Sequence, residues 1–381
     1  MFFSNSLPRK IFFGRGSLER LPEALRELEL TGRAILVTGR HFARKSGYLD
    51  KLCSLMRFVG VDVIVYDKVE PNPSIEIVEE GGRIAREKGV DFVVGFGGGS
   101  AIDTAKGIAV LATHNGGLEE YFYPAKIEPP LLPIVAIPTT CGSGSEVTRY
   151  AIVSKGFRKY TILSELIVPT LTILDSEVLK YLARDITAHT AMDAFSHALE
   201  SYYHINSCEF SENFARDAII IFFENLRDAV DGDMGSREKI FYASMLAGLA
   251  INLAGTLFVH SLGYYITQKF GIPHGLANML FLRQFIEYAA EKMPDRTIAL
   301  GRLLGLNSVS SEIVSRTIIN KLNDLIEYLD LPRNLKEAGI PHSELFTIAE
   351  HGFSYKRNIE NCRKPPTSEE IQEIVKKAYL S

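Results

Sequence analysis

The chain has 381 residues, of which 46% are hydrophobic and 23% are charged. This balance is typical of a globular protein of two or three domains and excludes a disordered or low-complexity chain. Its 42 basic and 46 acidic residues give a formal net charge of −4, so charge predicts no attraction to nucleic acid or to an anionic membrane surface. The four cysteines form no CxxC pair, which argues against a zinc ribbon and favours reduced thiols.

The first residues have no basic region followed by a long apolar core, so we predict no secretory signal. No stretch reaches the ~18 consecutive apolar residues that a membrane span needs; residues 241–259 come closest, but their small residues suit close helix packing better. We therefore expect a cytoplasmic protein.

In the first half of the chain, short apolar runs alternate with segments of helical periodicity. Strands are predicted over 33–39, 61–66, 91–96, 132–137, 150–153 and 171–174, with helices following the first three. Such alternation implies right-handed crossovers and a parallel sheet. Residues 1–184 are thus predicted to form an α/β nucleotide-binding domain.

The second half, residues 185–381, is rich in Ala, Leu, Ile and Glu at helical spacing and shows no clear strand pattern. Helices are predicted over 187–205, 209–230, 236–258, 276–292, 294–304, 309–329 and 368–380. The fold class expected is an α/β domain with a parallel sheet joined to an all-α domain.

Two glycine-rich loops follow predicted strands. One is GGGSAID (97–103), which leads into a helix with Ser100 as the expected N-cap, and the other is PTTCGSGSE (138–146). Glycines let backbone amides approach a phosphate, and a helix N-terminus adds partial positive charge. Because the carboxyl ends of parallel strands share one sheet edge, both loops predict a single ligand site there.

Candidate metal ligands lie in the second half. Asp193 and His197 are four residues apart on a predicted helix, and therefore on one face, while His260 and His274 follow later. One carboxylate and three imidazoles would suit Fe(II), Zn(II) or Mn(II). Since His189 extends the same helical stripe, spacing alone leaves the ligand set open.

The chain resembles the iron-containing (group III) alcohol dehydrogenase family at motifs spread over nearly its whole length. GGGSAIDTAK (97–106) is similar to the family's GGGSxxDxAK loop, and PTTCGSGSEVT (138–148) to its PTTxGTGSEVT segment. MDAFSHALE (192–200) resembles the family's metal-binding helix, and His260 with PHGLAN (273–278) resembles its last ligand segment; NCRKP (361–365) is similar to an NPRP-type segment.

This resemblance implies a dehydroquinate synthase-like fold with a nicotinamide cofactor and a catalytic metal. It selects Asp193, His197, His260 and His274 as ligands of Fe(II), with Zn(II) as an alternative, and leaves His189 out. The cofactor contacts that it implies are Gly97, Gly98, Gly99, Ser100 and Asp103 in the first loop, Thr139, Thr140 and Ser143 in the second, and Asn72, Lys159 and Leu179 elsewhere.

Two positions depart from the family pattern. Many members carry a histidine four residues after the third ligand, where this chain has Tyr264, a poor proton carrier at neutral pH; proton transfer would then use water or the cofactor ribose. Relatives that prefer NAD usually place an aspartate after the first strand, where this chain has Gly39 and Arg40. The missing carboxylate and added cation predict NADP(H), with NAD(H) as the alternative.

The resulting functional prediction is hydride transfer between a small primary alcohol and NADP, or from NADPH to an aldehyde in reverse. Polyol dehydrogenases, glycerol-1-phosphate dehydrogenases and dehydroquinate synthase-like enzymes are alternatives of the same fold. A phosphorylated substrate would need cations near the metal, and the flanking stretches offer only Lys269. A homodimer is expected from the resemblance, with no nucleic-acid or membrane partner.

Overall fold

A computed structural model describes residues 4–380. Within it the chain forms two compact units, one of residues 4–182 and one that begins at Ala183. The first is an α/β unit and the second is helical, which confirms the predicted fold class.

A six-stranded sheet forms the centre of the α/β unit. Its strands are β1 (Lys10–Phe13), β2 (Arg33–Gly39), β3 (Asp62–Val69), β4 (Phe92–Gly97), β5 (Ile134–Pro138) and β8 (Leu171–Leu174). They are arranged in the order β1-β8-β5-β4-β2-β3, and every neighbouring pair is parallel. The loops after β4 and β5 consequently leave the sheet side by side, with Gly97 opposite Pro138.

Two further strands, β6 (Tyr150–Lys155) and β7 (Arg158–Leu163), form a separate antiparallel hairpin. The second strand was not predicted, because its first residues are charged, and neither was β1, which is only four residues long. Helices of this unit are α1 (Leu21–Glu27), α2 (Phe42–Lys45), α3 (Tyr48–Arg57), α4 (Ile75–Lys88) and α5 (Gly99–Thr113).

The helical unit has ten α-helices among the described residues. They are α6 (Arg184–Tyr203), α7 (Glu209–Asp231), α8 (Met234–Leu253), α9 (Phe258–Phe270), α10 (His274–Lys292), α11 (Pro294–Leu303), α12 (Ser311–Tyr328), α13 (Leu345–Phe353), α14 (Lys356–Glu360) and α15 (Ser368–Leu380). Most residues of α6, α8, α9 and α10 are buried, so these helices form the core of the unit.

The predicted helix 236–258 is wrong at its C-terminal end. The helix stops at Leu253, Gly255 adopts a φ of 112°, and α9 starts at Phe258 at an angle of 112° to α8. An apolar pattern that runs on through the bend concealed it. The bend has a functional consequence, because it places His260 in the first turn of a new helix.

Among residues 4–380, no single helix combines the length and the apolar character of a membrane span; α8 and α9 meet that criterion only when they are taken together across their bend.

Candidate metal and nucleotide sites

Three side chains of the helical unit converge on one point. Asp193, His260 and His274 each offer a ligand atom, and these atoms lie within 4.8 Å of one another. The Asp193 Oδ1 atom is 3.6 Å from His260 Nε2 and 3.8 Å from His274 Nε2. His260 Nε2 is buried and has no hydrogen-bond partner among residues 4–380. A buried imidazole nitrogen without a hydrogen-bond partner, beside a carboxylate, is an environment that a divalent cation satisfies.

His197, the fourth predicted ligand, lies beside this group. Its ring stacks on that of His260 with a centroid separation of 4.6 Å, and its position on α6 is one turn after Asp193. His189 lies outside the converging triad. The structure therefore brings the predicted residues together, and the assignment of His197 as a fourth ligand stays a prediction.

The close approach of α10 to α6 depends on Gly275. A Cβ atom at that position would lie 1.9 Å from the His189 carbonyl oxygen and 2.8 Å from the Asp193 nitrogen. Only glycine permits this contact, which brings His274, the first residue of α10, against Asp193. The PHG sequence thus supplies a candidate ligand, His274, and also the glycine that allows the two helices to pack closely.

Glu200 is a site residue that sequence reasoning did not single out. It is fully buried, accepts hydrogen bonds from the Val259 and His260 backbone nitrogens at 2.8 and 3.4 Å, and bonds to His260 Nδ1. The carboxylate fixes the ring and holds a proton on Nδ1, so Nε2 is the ring nitrogen that faces Asp193 and can bind an ion. The available signal was its spacing, seven residues after Asp193 on the same helix.

The charges of the site favour a cation. Burial raises the pKa of the Asp193 carboxyl, but His197, His274 and His260 outweigh burial and hold that pKa below its ordinary value. Burial lowers the pKa of His260, yet Glu200 and Asp193 raise it overall, from 6.5 to about 9. A cation at this position would displace the proton of His260 Nε2, since the ion and the proton need the same lone pair.

Tyr264 lies next to the ligands rather than among them. Its ring stacks on that of His274 at a centroid distance of 5.6 Å and meets the Tyr355 ring edge-on at 5.0 Å. Burial raises the pKa of its phenol above the ordinary value. The hydroxyl therefore keeps its proton throughout the physiological pH range.

In the α/β unit, the two predicted glycine loops are in contact. A Cβ atom on Gly98 would lie 3.2 Å from Thr140 Oγ1, and one on Gly99 would lie 2.6 Å from Ser143 Oγ. The Thr139 nitrogen donates to the Gly97 carbonyl at 2.9 Å. Both loops therefore form one surface at the carboxyl edge of the sheet, as the strand order requires.

The start of α5 differs in detail from the prediction. The N-cap is Gly98 and the helix begins at Gly99, so Ser100 lies in the first turn. Its Oγ accepts a hydrogen bond from the Asn72 nitrogen at 3.3 Å, and Asn72 has a φ of 52°. A cap without a side chain leaves the first helical amides accessible to an anion.

Asp103 and Lys106 hold the loops from beneath. Asp103 accepts hydrogen bonds from the Ser145 hydroxyl and, at 3.0 Å, from the Ile152 nitrogen. The Lys106 ammonium donates to the carbonyl oxygens of residues 145, 148 and 150, each at 2.7 Å. Both side chains therefore join α5 to the second loop and β6; a direct contact of Asp103 with cofactor remains a prediction.

The remaining predicted cofactor residues occupy three places. Gly39 and Arg40 line a cleft of about 380 Å³ at the carboxyl end of β2, where the Arg40 guanidinium is 3.9 Å from Glu70. Lys159 is buried in β7, and Leu179 is fully buried in a 3₁₀ turn. Their cofactor contacts stay predictions.

A candidate phosphate site at the sheet edge of one unit and a candidate carboxylate–imidazole cation site in the other are the features expected of a metal-dependent, nucleotide-binding enzyme. The models for iron-containing alcohol dehydrogenase and for the C-terminal part of that family match residues 8–176 and 187–379. The chain belongs to the iron-containing alcohol dehydrogenase family. It is accordingly an oxidoreductase with a nicotinamide cofactor.

Individual relatives and solved structures support this family assignment. The chain is 32% identical to the NADPH-dependent butanol dehydrogenase of Clostridium saccharobutylicum over 89% of its own length and 87% of that protein's. The crystal structure of a 1,3-propanediol oxidoreductase matches with a TM-score of 0.93 and 31% identity over 100% of both chains. NADH-dependent butanol dehydrogenase A of Thermotoga maritima matches with a TM-score of 0.88 and 25% identity, covering 100% of this chain and 98% of that one.

Proposed function

We propose that this enzyme interconverts small primary alcohols and aldehydes with a divalent metal, Fe(II) or alternatively Zn(II), and that it favours NADP(H) over NAD(H). The observation that carries the metal is the buried His260 Nε2, which faces Asp193 and has no hydrogen-bond partner within residues 4–380. Asp193, His197, His260 and His274 would hold the ion. When bound, it supplies a Lewis acid that polarises the alcohol or carbonyl oxygen.

The protein's own groups prepare this site. Glu200 holds His260 in the tautomer that presents Nε2, and the aromatic contacts of Tyr264 enclose the ring of His274. Tyr264 supplies no charge to a substrate, because burial raises the pKa of its phenol. Aromatic rings beside the proposed ligands favour a small alcohol whose main polar contact is at the metal.

The contacts of Lys269 favour a small alcohol over a phosphorylated substrate. Its ammonium lies 2.8 Å from both carboxylate oxygens of Glu344 and 2.9 Å from the Tyr265 hydroxyl. The one cation expected near the ligands is thus neutralised by a carboxylate. A free phosphate would have to displace that ion pair, which argues against glycerol-1-phosphate as substrate.

The preference for NADP(H) rests on the cleft after β2. Gly39 supplies no carboxylate to repel a 2′-phosphate, and the exposed Arg40 guanidinium borders the cleft. Glu70 opposes this preference, because it lies in the same cleft and attracts the guanidinium. Arg44 is paired with Asp67 at 2.6 Å, so Arg40 is the residue that we assign to the 2′-phosphate.

Anaerobic kinetics of the Fe(II)-loaded enzyme with butyraldehyde test both the metal-dependent activity and the cofactor preference. We expect metal-dependent turnover with higher kcat/KM for NADPH than for NADH. Turnover that favours NADH would retain the activity and overturn the cofactor assignment; no turnover with either would redirect attention to polyols.

Two variants sharpen the cofactor test. Gly39→Asp should move the preference toward NADH, because it restores a carboxylate at the end of β2. Glu70→Gln should raise the preference for NADPH, because it releases Arg40. Equal efficiency with both cofactors in Gly39→Asp would refute the assignment of this cleft.

The resemblance to the family also supports a homodimer as the functional assembly. Sedimentation velocity at micromolar concentration tests it, and a single species of about 42 kDa, the mass of one chain, would contradict it.

A further inference from the structure

Asn278 connects two of the proposed metal ligands. It is fully buried and lies on α10, one turn after His274. Its Nδ2 atom donates to Asp193 Oδ1 at 3.0 Å and lies 3.3 Å from His274 Nε2. The amide therefore contacts two of the atoms that would bind the ion.

The direction of this amide follows from chemistry. An ionised carboxylate only accepts hydrogen bonds, so the NH₂ group must face Asp193. The carbonyl oxygen Oδ1 then points to Gly263, where a Cβ atom would lie 2.2 Å from it. That oxygen is buried and has no hydrogen-bond partner within residues 4–380. The orientation that lets the NH₂ group donate to Asp193 leaves this carbonyl oxygen without a partner, and the hydrogen bond to the carboxylate offsets that cost.

The same amide selects a tautomer. Donation from Asn278 to His274 Nε2 requires a lone pair on that nitrogen and hence a proton on Nδ1. Glu200 has the equivalent effect on His260 by bonding to its Nδ1 atom. An ion that binds His274 Nε2 takes the place of the Asn278 proton on that nitrogen, whereas Asp193 Oδ1 has further lone pairs and can keep its bond to Asn278 while it binds the ion.

We propose that Asn278 is a positioning residue that orients Asp193 and sets the tautomer of His274 before the metal binds. Gly263 is its partner, because only a residue without a side chain leaves room for the amide. This inference rests on the proposed ligand set, and it assigns a role to two residues that do not bind the ion themselves.

Titration of the metal-free enzyme with Co²⁺, followed by visible absorption of the bound ion, tests the proposal. We expect Asn278→Ala to weaken Co²⁺ binding by about 10- to 100-fold, the usual effect of losing a group that orients ligands. The matched control is Asn225→Ala, which removes a buried amide that bonds to the Ile221 carbonyl of its own helix. It should bind Co²⁺ as the unaltered enzyme does.

A double variant separates positioning from general packing. Gly263→Ala should weaken Co²⁺ binding because its methyl group displaces the Asn278 amide. Gly263→Ala combined with Asn278→Ala should bind no more weakly than Asn278→Ala alone, since the displaced group is gone. Additive losses would show that Gly263 acts independently of the amide and would overturn this pairing.

The outcomes also distinguish the inference from the ligand set. If Asp193→Ala abolishes Co²⁺ binding while Asn278→Ala binds it with unaltered affinity, the ligand set stands and the role of Asn278 is wrong. If Asn225→Ala weakens binding as much as Asn278→Ala, the effect is structural and the proposal fails. If the unaltered enzyme binds no Co²⁺, the ligand set and the inference both fail.

Discussion

The α/β unit and the helical unit build their sites from different atoms. In the glycine loops the candidate ligands are backbone amides, and the buried polar side chains beneath them are well bonded, with Lys106 donating to three carbonyl oxygens. In the helical unit the candidate ligands are side chains, and buried atoms such as His260 Nε2 and Asn278 Oδ1 have no hydrogen-bond partner within residues 4–380. The polypeptide itself bonds the buried Lys106 beneath the first site, whereas the second contains buried polar atoms that only a proposed cation would satisfy.

The largest effect is expected at His260, the buried candidate ligand of the helical unit. We expect His260→Ala to lose metal and at least roughly 1,000-fold in kcat/KM, because several kcal/mol of Lewis-acid stabilisation are removed. Metal content and aldehyde reduction measure the effect, and binding of NADPH by fluorescence should be unaltered. Retention of metal at full stoichiometry in this variant would contradict the site.

His204 tests whether every buried, unpaired nitrogen marks a ligand site. Its Nε2 atom has no hydrogen-bond partner among the described residues, but it faces Gly255, where a Cβ would lie 3.0 Å away. Burial, with Arg357 and Arg363 adding to it, lowers the pKa of His204 from 6.5 to about 3. The unfolded chain therefore takes up a proton that the folded chain refuses.

Stability should accordingly fall as the pH drops below 6.5, by about 2–3 kcal/mol at pH ~4.5. His260 adds no slope in this range, because its folded pKa is raised and its contribution is already complete below 6.5. Urea unfolding at a series of pH values measures the slope, and His204→Asn should remove most of it. An unchanged slope in that variant would assign the pH dependence to other groups.

Gly99 tests the contact between the two loops. We expect Gly99→Ala to weaken NADPH binding by about 10-fold, because its Cβ would lie 2.7 Å from Ser143 Cβ and overpacking of this kind costs about 1–3 kcal/mol. Isothermal titration measures the affinity. Adding Ser143→Gly should restore part of it, and Co²⁺ binding should be the same in all three proteins.

Tyr264 should give the smallest effect. Tyr264→Phe keeps the stacked ring, so we expect kcat/KM within about 3-fold of the unaltered enzyme, whereas Tyr264→Leu should weaken metal binding by up to about 10-fold through loss of the aromatic contact. A large loss in Tyr264→Phe would show that the hydroxyl takes part in proton transfer. An unchanged pH–rate profile in Tyr264→His would instead count against any role for this position.

The parts of the fold that could be predicted are those with a local cause. Strand β2 and helix α4 follow from short-range periodicity, and the ligand edge follows from two glycine loops after parallel strands. The break between α8 and α9 was missed, since the apolar pattern continues across Gly255. Strand β7 was missed because Arg158 and Lys159 give it a polar start.

The candidate site also contains residues that local spacing predicts and residues that it does not. Asp193 and His197 share a helical face and could be paired by spacing, but nothing local connects either with His260. Glu200 and Asn278 act through contacts between residues 60 and 85 positions apart in the chain, which no spacing rule reports. The family motifs predicted the ligands, and the packing of three helices was needed to find the residues that contact those predicted ligands.

The buried position of Lys106 makes its amine a natural reporter. With the side chain fully enclosed and its ammonium held by three carbonyls, reagents that label amines can reach it only when α5 separates from the second loop. Its labelling rate, followed by mass spectrometry, therefore measures how often the nucleotide site opens. A bound cofactor that holds the loops together should slow that labelling, which gives a readout of occupancy without any substrate or turnover.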